Sequence, residues 1–467
     1  MKNRILIFSF LFSFNCHAQW TNAVMDTLTH NGERDELNHQ SLAIDQWNTT
    51  HLISEQALSG GGWMILYFQR PANGTWTTED TVLTGPANEP TLAVSNTDAI
   101  PFVACMEYDS HDYEIMVYSR AGSNWVHDQV TNNQDEDMSP SIATDNQGFV
   151  HLAWIRLDTA GDFKINYATN RSGSWVIQSL ANSQLGLFGA GALPQLALDP
   201  SGVAHIAYRG GNFGTYRIHH AYNDSIGGSN WNFDFPTSPN AEDLSSSIVV
   251  SSDSVVHLLV SGNDGFGFPT HAFYMAKLPG SGTFTNAVDV ASGFSAETGC
   301  LFVLNHSPAC VLNEVSGNIY TGNVIYSSAG TNWMAAALTN TQDIYAAQLV
   351  MDQLGNGTMA AYQGNTYPSE EIIVFGPDIN TGIPQTAASQ NFIRYHQKNN
   401  SLILQFSQSF KGEIQLHNLQ GQILWRENVS VQTGEFKPIS TENLAKGIYL
   451  LQGVNAEYKQ IIKLALE

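Results

Sequence analysis

Short apolar runs separated by polar turns recur along most of the chain, and they follow one pattern. Each copy has an apolar or β-branched run, then a turn with Asp, Asn or Gly, then a second apolar run, which is typical of a β-hairpin. The first apolar positions of the seven copies are Leu42, Leu92, Ile142, Leu196, Ile248, Leu301 and Leu349. Because these positions are about 50 residues apart, the length of a four-stranded unit, the pattern predicts a repeat architecture.

A third apolar run follows each hairpin and leads through a turn to an aromatic residue that begins a fourth strand. Six copies have this residue: Trp76, Trp125, Trp175, Trp231, Phe284 and Trp333. The seventh copy has a third strand, "EEIIVFGPD", and no fourth. We expect residues 19–29, "QWTNAVMDTLT", to supply the missing strand, with Trp20 at its head. This pairing would remove two open sheet edges.

The predicted fold is all-β: a seven-bladed β-propeller closed by the N-terminal strand, followed by a small antiparallel β-sandwich. Lys2 and Arg4, the apolar run after them and Ala18 indicate a cleaved signal peptide. No later stretch reaches the roughly 18 to 20 apolar residues of a membrane span. The predicted boundaries are a signal peptide at 1–18, a propeller at 19–378, a linker at 379–390 and a C-terminal domain at 391–467.

The charge of the chain is strongly uneven. Residues 19–389 contain 9 Lys and Arg against 36 Asp and Glu, whereas residues 390–467 contain 8 against 6. A surface this acidic repels phosphate backbones and anionic lipids, so nucleic acids and membranes are poor partners. Solubility outside the cell is the simplest explanation of the acidity.

The C-terminal region resembles a known export domain. The order "GEIQLHNLQGQIL", "LAKGIYLL" and a last strand with Lys459 and Lys463 is similar to the type A C-terminal sorting domain of the type IX secretion system. The resemblance implies export through that machinery to the exterior or the cell surface. The pattern "D..G..H.A[WY]" at 145–154 and 199–208 more loosely resembles sialidase-type (BNR-like) propeller repeats.

Candidate binding residues follow the second strands of copies two to four, at the end of a propeller where ligands usually bind. Paired arginines beside tyrosines could hold a carboxylated or sulfated sugar, and nearby carboxylates and a histidine could act as acid and base. An alternative is that the arginines only bridge surplus carboxylates. The candidates are Glu107, Tyr108, Asp109, His111, Arg156, Arg209, Tyr216 and Arg217.

Three further groups have a structural and a functional interpretation. A carboxylate precedes the first strand in six copies (Glu36, Glu89, Asp137, Asp243, Glu297 and Asp343). These side chains either cap their own loops, which we favour, or bind Ca²⁺; the sequence calls for no other cofactor. Four histidines share one repeat position (His51, His151, His205 and His257) and are expected to bond within their own copies rather than bind metal. Cys300 and Cys310 either form a local disulfide or are buried thiols.

Three functions therefore remain open: a module that binds a glycan or a surface protein, an enzyme that degrades acidic polysaccharide, and a structural surface protein. An enzyme needs paired carboxylates, or a His, Tyr and Arg set, at fixed geometry. No compact catalytic motif occurs in the repeats. The sequence therefore favours the binding module, with a glycoside hydrolase or polysaccharide lyase as the alternative.

Overall fold

The structure is a computed structural model. It describes residues 23–29, 34–58, 62–71, 75–77, 80–180, 193–211, 214–264, 271–290, 296–304, 307–316, 319–328, 332–337, 344–351, 357–363, 371–377, 393–398, 401–406, 409–418, 423–432, 436–441, 444, 447–454 and 459–466. The chain divides into two compact units, Met1–Ile379 and Asn380–Glu467. The predicted signal peptide, Trp20 and the linker at 379–390 lie outside the described residues.

The described part of the first unit consists of antiparallel sheets, which confirms the all-β prediction. Sheet 1 contains β2 (Asp35–Glu36), β3 (Leu42–Ile44), β4 (Thr50–Ala57), β5 (Trp63–Arg70) and β6 (Asp80–Gly85). Sheet 2 contains β7 (Ala87–Val94), β8 (Pro101–Tyr108), β9 (Tyr113–Ala121) and β10 (Asn124–Gln129). Sheet 3 contains β11 (Glu136–Thr144), β12 (Val150–Leu157), β13 (Phe163–Thr169) and β14 (Val176–Ser179).

The remaining sheets of this unit follow the same order along the chain. Sheet 4 contains β15 (Gln195–Leu198), β16 (Ala204–Gly210), β17 (Arg217–Asn223) and β18 (Trp231–Asp234). Sheet 5 contains β19 (Glu242–Val250), β20 (Val256–Asn263), β21 (His271–Lys277) and β22 (Val288–Asp289). Sheet 6 contains β23 (Ala296–Leu304), β24 (Ser307–Ser316), β25 (Ile319–Ser328) and β26 (Asn332–Ala337). Sheet 7 contains β27 (Ile344–Met351), β28 (Gly357–Gln363), β29 (Glu371–Pro377) and β1 (Ala23–Thr27).

The turn between the first and second strands of sheet 3 explains why these sequences form hairpins. Asp145 Oδ1 accepts the backbone N–H groups of Gln147 at 2.9 Å and Phe149 at 3.0 Å. Gly148 has φ +84°, a left-handed conformation that costs glycine little. Asp199 and Gly202 repeat the arrangement in sheet 4. The Asp and Gly of the sequence pattern thus fix the turn.

A bulge recurs in the first strand of the sheets. The register shifts between Asn88 and Thr91 in sheet 2 and between Met138 and Ser141 in sheet 3, and sheets 5, 6 and 7 have equivalent shifts. In sheet 1 the first strand is divided into β2 and β3, which both pair with β4. A bulge re-aims the residues on one side of it. The carboxylates that precede the bulge therefore lie on a separate stretch of strand from the apolar run that follows.

Buried apolar clusters join the sheets in chain order. Separate clusters pack sheet 1 against 2, 2 against 3, 3 against 4, 4 against 5 and 5 against 6. A further cluster contains Leu52 and Phe68 of sheet 1 together with Ile372 and Val374 of sheet 7. The last sheet of the unit is therefore packed against the first.

The fourth strand of sheet 7 comes from the beginning of the described chain. Strand β1 pairs antiparallel with β29, from Ala23 opposite Pro377 to Thr27 opposite Ile373. The pairing continues at Thr29, whose hydroxyl oxygen accepts the N–H of Ile372 at 2.9 Å. Sheet 7 thus combines residues from the two ends of the first unit.

Gln40, between β2 and β3, makes polar contacts with four other sheets. It has φ 62°, in the left-handed region. Its partners are Gln348 Oε1 (3.2 Å from its N–H), Leu92 N–H (2.8 Å from its carbonyl), Ser141 Oγ and Ile142 N–H (2.8 and 3.2 Å from its Oε1), and the Leu196 carbonyl (3.3 Å from its Nε2). Because the partners belong to the first strands of sheets 7, 2, 3 and 4, these strands converge around one residue.

The second unit has its own core. A three-stranded sheet consists of β30 (Ile393–Lys398), β31 (Ser401–Phe406) and β34 (Phe436–Ser440). A four-stranded sheet consists of β32 (Phe410–Asn418), β33 (Ile423–Val431), β35 (Gly447–Val454) and β36 (Lys459–Leu466). One buried cluster includes Leu404 and Phe406 of the first sheet and Ile414 and Leu451 of the second. The two sheets therefore pack face to face, as in a sandwich.

Two further observations concern the whole described chain. No helix in the described residues is long and apolar enough to cross a membrane. Cys105, Cys300 and Cys310 are all free thiols, in agreement with the second of the two alternatives considered for the last pair. Burial raises the pKa of Cys300 to about 12. Its Sγ accepts the Leu349 N–H at 2.8 Å, which links sheet 6 to sheet 7.

Candidate functional site

Four of the predicted site residues lie together where β8 turns into β9. Tyr108 ends β8 and pairs with Tyr113, the first residue of β9. The Tyr108 side chain is 43% exposed, and its ring centroid lies 5.4 Å from that of Tyr113. Asp109 and His111 follow in the loop, and Glu107 precedes it. We call residues 107–114 the loop site.

The loop is fixed by a carboxylate turn. Asp109 Oδ1 accepts the N–H groups of His111 at 2.9 Å and Asp112 at 3.3 Å. These hydrogen bonds lower the pKa of Asp109, which stays ionised. His111 is exposed, with Nδ1 3.6 Å from the same carboxylate oxygen. The loop therefore presents a tyrosine face, a carboxylate and an imidazole to solvent.

The side chain of Glu107 is directed toward Tyr118 of the same sheet. Its Oε2 accepts the hydroxyl of Tyr118 at 2.9 Å. Burial, together with nearby anionic groups, raises the pKa of Tyr118. Glu107 is thus half-buried and bonded within the sheet, so of the four predicted residues it is the least available to a ligand.

Two carboxylates of the loop site were not predicted from the sequence. Asp112 is 7% exposed and Glu114 is 1% exposed. Burial raises the pKa of each, and the charge of Asp109 adds to the effect at Asp112. Asp112 Oδ1 and Glu114 Oε2 have no hydrogen-bond partner within the described part of the chain. Both residues stand in the segment "YDSHDYE", whose density of acids was the available signal.

The predicted arginines have protein partners. Arg156 binds the carboxylate of Asp135, with its Nε 2.5 Å from Oδ2. Arg209 donates to the Leu244 carbonyl at 3.2 Å and stacks over the ring of Tyr216 at 4.5 Å. Arg217 donates to two backbone carbonyls, at 2.9 and 2.7 Å. Each guanidinium group therefore forms hydrogen bonds to groups of the protein itself.

Strand register separates the two arginines that were expected to act together. His151 pairs with Ala143, and His205 occupies the equivalent place opposite Ala197. Arg156 is five residues after the first histidine, whereas Arg209 is four residues after the second. Since side chains alternate between the faces of a strand, the two guanidinium groups leave opposite faces of their sheets.

Three of the carboxylates that precede the first strands, Glu36, Asp137 and Asp243, have local partners. Asp137 accepts Trp154 Nε1 and Asn133 Nδ2, both at 2.6 Å. Asp243 accepts Asn240 Nδ2 at 3.1 Å and the Ile218 N–H at 3.2 Å. Glu36 forms an ion pair with Arg34, and Glu89 Oε2 is buried without a partner among the described residues. Asp343 and the side chain of Glu297 lie outside the described part of the chain.

Glu55 is a third buried acid that the sequence did not single out. Glu55 lies in β4 of sheet 1, opposite Glu36 of β2. It is 4% exposed, and its carboxylate accepts a hydrogen bond from Asn38 Nδ2 at 2.7 Å. Burial raises its pKa to about 7, and the charges of Glu36 and Glu89 contribute. Glu55 is therefore a carboxyl that gains and loses its proton near neutral pH.

The four repeated histidines lie at the end of their sheets that is opposite to the loops between second and third strands. Each forms a hydrogen bond to a side chain of its own sheet. The Nδ1 atoms of His51, His151 and His257 each lie 2.6 Å from a tyrosine hydroxyl of the same sheet. His205 Nδ1 lies 3.0 Å from His220 Nε2. This is the structural role predicted from their shared repeat position.

Solved structures similar to this chain include several enzymes of sugars. A PL25 ulvan lyase bound to -[GlcA(1-4)Rha3S]- matches with a TM-score of 0.52 and 8% identity, over 75% of this chain and 95% of that chain. The polysaccharide lyase Uly1 matches with a TM-score of 0.49 and 12% identity, over 76% and 91%. A Trypanosoma rangeli sialidase in complex with sialic acid matches with a TM-score of 0.44 and 8% identity, over 95% and 89%. The first match supports a lyase-like propeller fold, and at this identity it shows the fold alone.

The sequence comparisons concern the second unit. No curated protein matches the chain. Residues 398–467 match the family described as secretion system C-terminal sorting domain, which confirms the resemblance found in the sequence. The chain thus carries a type IX sorting domain at residues 398–467 and is a secreted or cell-surface extracellular protein.

Proposed function

We propose that sheets 1–7 are the blades of a seven-bladed β-propeller and that β1 closes the ring by completing sheet 7. Three observations support this arrangement: the pairwise packing of successive sheets, the shared cluster of sheets 7 and 1, and the convergence of first strands on Gln40. In such a ring the starts of the first strands and the loops between second and third strands share one face. The loop site lies on that face.

We infer that the propeller binds an extracellular glycan through the loop site. The observation that carries this proposal is the exposed Tyr108, whose ring contacts that of Tyr113 and which is followed in the loop by Asp109 and His111. An aromatic face packs against the C–H surface of a sugar, while carboxylate and imidazole groups bond its hydroxyls. The rigid loop limits the entropy lost on binding.

The expected ligand is recognised by its hydroxyls rather than by a negative charge. Arg156, Arg209 and Arg217 are engaged by protein groups, so they offer little to a carboxylate or sulfate. The loop site itself holds Asp109, Asp112 and Glu114. Like charges across an interface oppose binding. When no cation is bound there, a neutral sugar therefore fits this surface better than a uronate or a sulfated sugar.

A glycan array probed with the full-length mature protein tests this proposal. Tyr108→Ala should lower affinity for the bound glycan at least about tenfold, which corresponds to about 1.4 kcal/mol. Trp47→Ala is the matched control, since Trp47 is 56% exposed and lies in a loop between first and second strands, at the opposite end of its sheet. Unchanged binding by Tyr108→Ala, or equal losses in both variants, would contradict a role for the loop site.

A polysaccharide-degrading enzyme is the second candidate, and Glu55 is the observation that favours it. A carboxyl with a pKa near 7 can donate a proton at neutral pH, as hydrolysis of a glycosidic bond requires. Reducing-sugar and unsaturated-product assays on neutral and uronate polymers test for this activity. Glu55→Gln should abolish any activity found, with Asp128→Asn as the exposed control. If no polymer is cleaved by the wild-type protein, the binding module stands alone.

A further inference from the structure

Sheets 2 and 3 both begin the turn between their second and third strands with an aspartate, although the turn of sheet 3 is one residue longer. Asp109 of sheet 2 accepts two loop N–H groups and donates its own N–H to the Asp112 carbonyl at 3.1 Å. Asp158 of sheet 3 accepts the N–H groups of Ala160 and Asp162 at 3.0 Å and donates its N–H to the Asp162 carbonyl at 3.1 Å. The two aspartates therefore hold the same position, directly after the second strand, and each carboxylate fixes its own turn.

The residue that faces this aspartate differs in charge between the two sheets. In sheet 3, Lys164 pairs with Arg156 in the strand register, and its Nζ lies 2.7 Å from Asp158 Oδ2. In sheet 2 the equivalent register position is Glu114, which pairs with Glu107. A carboxylate thus stands where sheet 3 has the ammonium group that neutralises its loop aspartate.

The carboxylates of sheet 2 converge with unused oxygens. One oxygen each of Asp109, Asp112 and Glu114 lies within 4.8 Å of the other two. Two oxygens on opposite sides of a Ca²⁺ ion, each at about 2.4 Å, are about 4.8 Å apart. Asp112 Oδ1 and Glu114 Oε2 are buried and have no hydrogen-bond partner in the described residues. Buried carboxylate oxygens without partners are costly, so a ligand for them is expected.

We propose that Asp109, Asp112 and Glu114 form a Ca²⁺ site that replaces the lysine of the neighbouring sheet. Glu136 lies beside this group, since its Oε2 accepts the Tyr113 N–H at 3.3 Å, and it increases the negative field. Carboxylate oxygens are hard ligands, and in this group one carboxylate is exposed while two are buried. Ca²⁺ accepts such irregular geometry better than Mg²⁺ does. The ion would tie the loop to the start of β9. The Ca²⁺ site shares the loop site with the proposed glycan, but cation binding is measured without any sugar, so either proposal can fail alone.

Terbium luminescence on the full-length mature protein measures the site directly. Tyr108 and Tyr113 flank the carboxylates and should sensitise a bound Tb³⁺ ion, which Ca²⁺ then displaces. We expect saturable Ca²⁺ binding with a Kd of about 10⁻⁴ M or tighter, in or below the range of extracellular sites. Ca²⁺ should also raise the thermal midpoint of the EDTA-treated protein, and Mg²⁺ should do so less.

Substitutions distinguish Ca²⁺ binding at this site from Ca²⁺ binding by other acidic residues on the surface. Glu114→Gln and Asp112→Asn should weaken Ca²⁺ binding at least tenfold, whereas Asp128→Asn, an exposed acid on β10 of the same sheet, should not. Glu114→Lys copies sheet 3 and should give a folded protein that no longer responds to Ca²⁺. A wild-type protein without saturable Ca²⁺ binding overturns the proposal, as does Glu114→Lys that binds Ca²⁺ like the wild type.

Discussion

The ring of Tyr167 in sheet 3 packs edge-on against the ring of Trp231 in sheet 4, with centroids 5.1 Å apart and planes at 72°. Tyr67 packs edge-on against Trp125 in the same way at 5.2 Å, and Tyr274 contacts Trp333 at 5.0 Å with the planes tilted at 56°. In each case the tyrosine belongs to one sheet and the tryptophan to the next. These tyrosine hydroxyls are the ones bonded by the repeated histidines, so every pair ties a sheet internally and to its neighbour.

Trp231→Ala should destabilise the first unit by about 3 kcal/mol, the low end for loss of a large aromatic side chain, because Trp231 is only partly buried. The variant also removes the hydrogen bond from Nε1 to Gln178 at 3.1 Å. Chemical denaturation followed by fluorescence measures the change. Trp47→Ala should have an effect within about 0.5 kcal/mol. Equal effects of the two substitutions would mean that the contact between sheets contributes nothing.

Gln40→Ala should lower the free energy of unfolding by about 1–3 kcal/mol, since it leaves the Ile142 N–H and the Leu196 carbonyl without a partner. The backbone contacts of residue 40 remain in this variant, so the measurement isolates the amide group. Gln46→Ala is the control, because the Gln46 side chain is exposed and contacts only the Thr97 carbonyl among its described bonds. Loss of stability no greater than in the control would show that convergence of the strands does not depend on Gln40.

Deletion of residues 19–29 should markedly lower the thermal midpoint of the first unit. Without residues 19–29, strand β29 has an open edge, the Ile372 N–H loses the Thr29 hydroxyl and the Ile372 carbonyl loses the Leu28 N–H. Differential scanning calorimetry and a light-scattering assay for aggregation measure the result. An unchanged midpoint would show that the proposed closure of the ring by this segment is wrong.

Glu55 should make the protein less stable as the pH rises from about 4.5 to about 7. The unfolded chain ionises Glu55 near pH 4.5, whereas the folded protein retains the proton to about pH 7, so the folded state binds more protons across this interval. The loss amounts to about 3 kcal/mol at pH 8. Glu55→Gln should therefore be more stable relative to the wild type at pH 8 than at pH 4. A stability difference that is the same at both values, measured by urea denaturation, would contradict the raised pKa.

Removal of residues 398–467 should prevent export of the first unit, because this segment is the sorting domain. Fractionation of a host that has the secretion system should find the truncated protein inside the outer membrane and the full chain outside the cell. The truncated first unit should retain its thermal midpoint, since the domain has a separate core. Export of the truncated protein would show that another segment directs secretion.

The repeats and the sorting domain could be predicted from the sequence because each depends on a local pattern. The apolar positions Leu42, Leu92 and Ile142 lie in the first strands of consecutive sheets and are buried. The turn at Asp145 needs only residues within the same hairpin. Period-two apolar runs and turn residues describe such units well.

Contacts between repeats were harder to predict. The side chain of Gln40 bonds residues that are distant in sequence, and no periodicity marks it. Asp112 and Glu114 became candidates only once the β8–β9 turn brought their oxygens together. The sequence does contain the signal that places Arg156 and Arg209 on opposite faces of their sheets. Arg156 is five residues after His151, whereas Arg209 is four residues after His205.

The pairing of Asp26 with Val374 also sets the order in which the protein can mature. The ribosome makes the first of these residues about 350 positions before the second, and contacts so distant along a chain form late. During synthesis the earliest strand must wait without its partner until nearly the whole unit has emerged. Sheet 7 is therefore the last of the seven sheets that can be completed while the chain is being made.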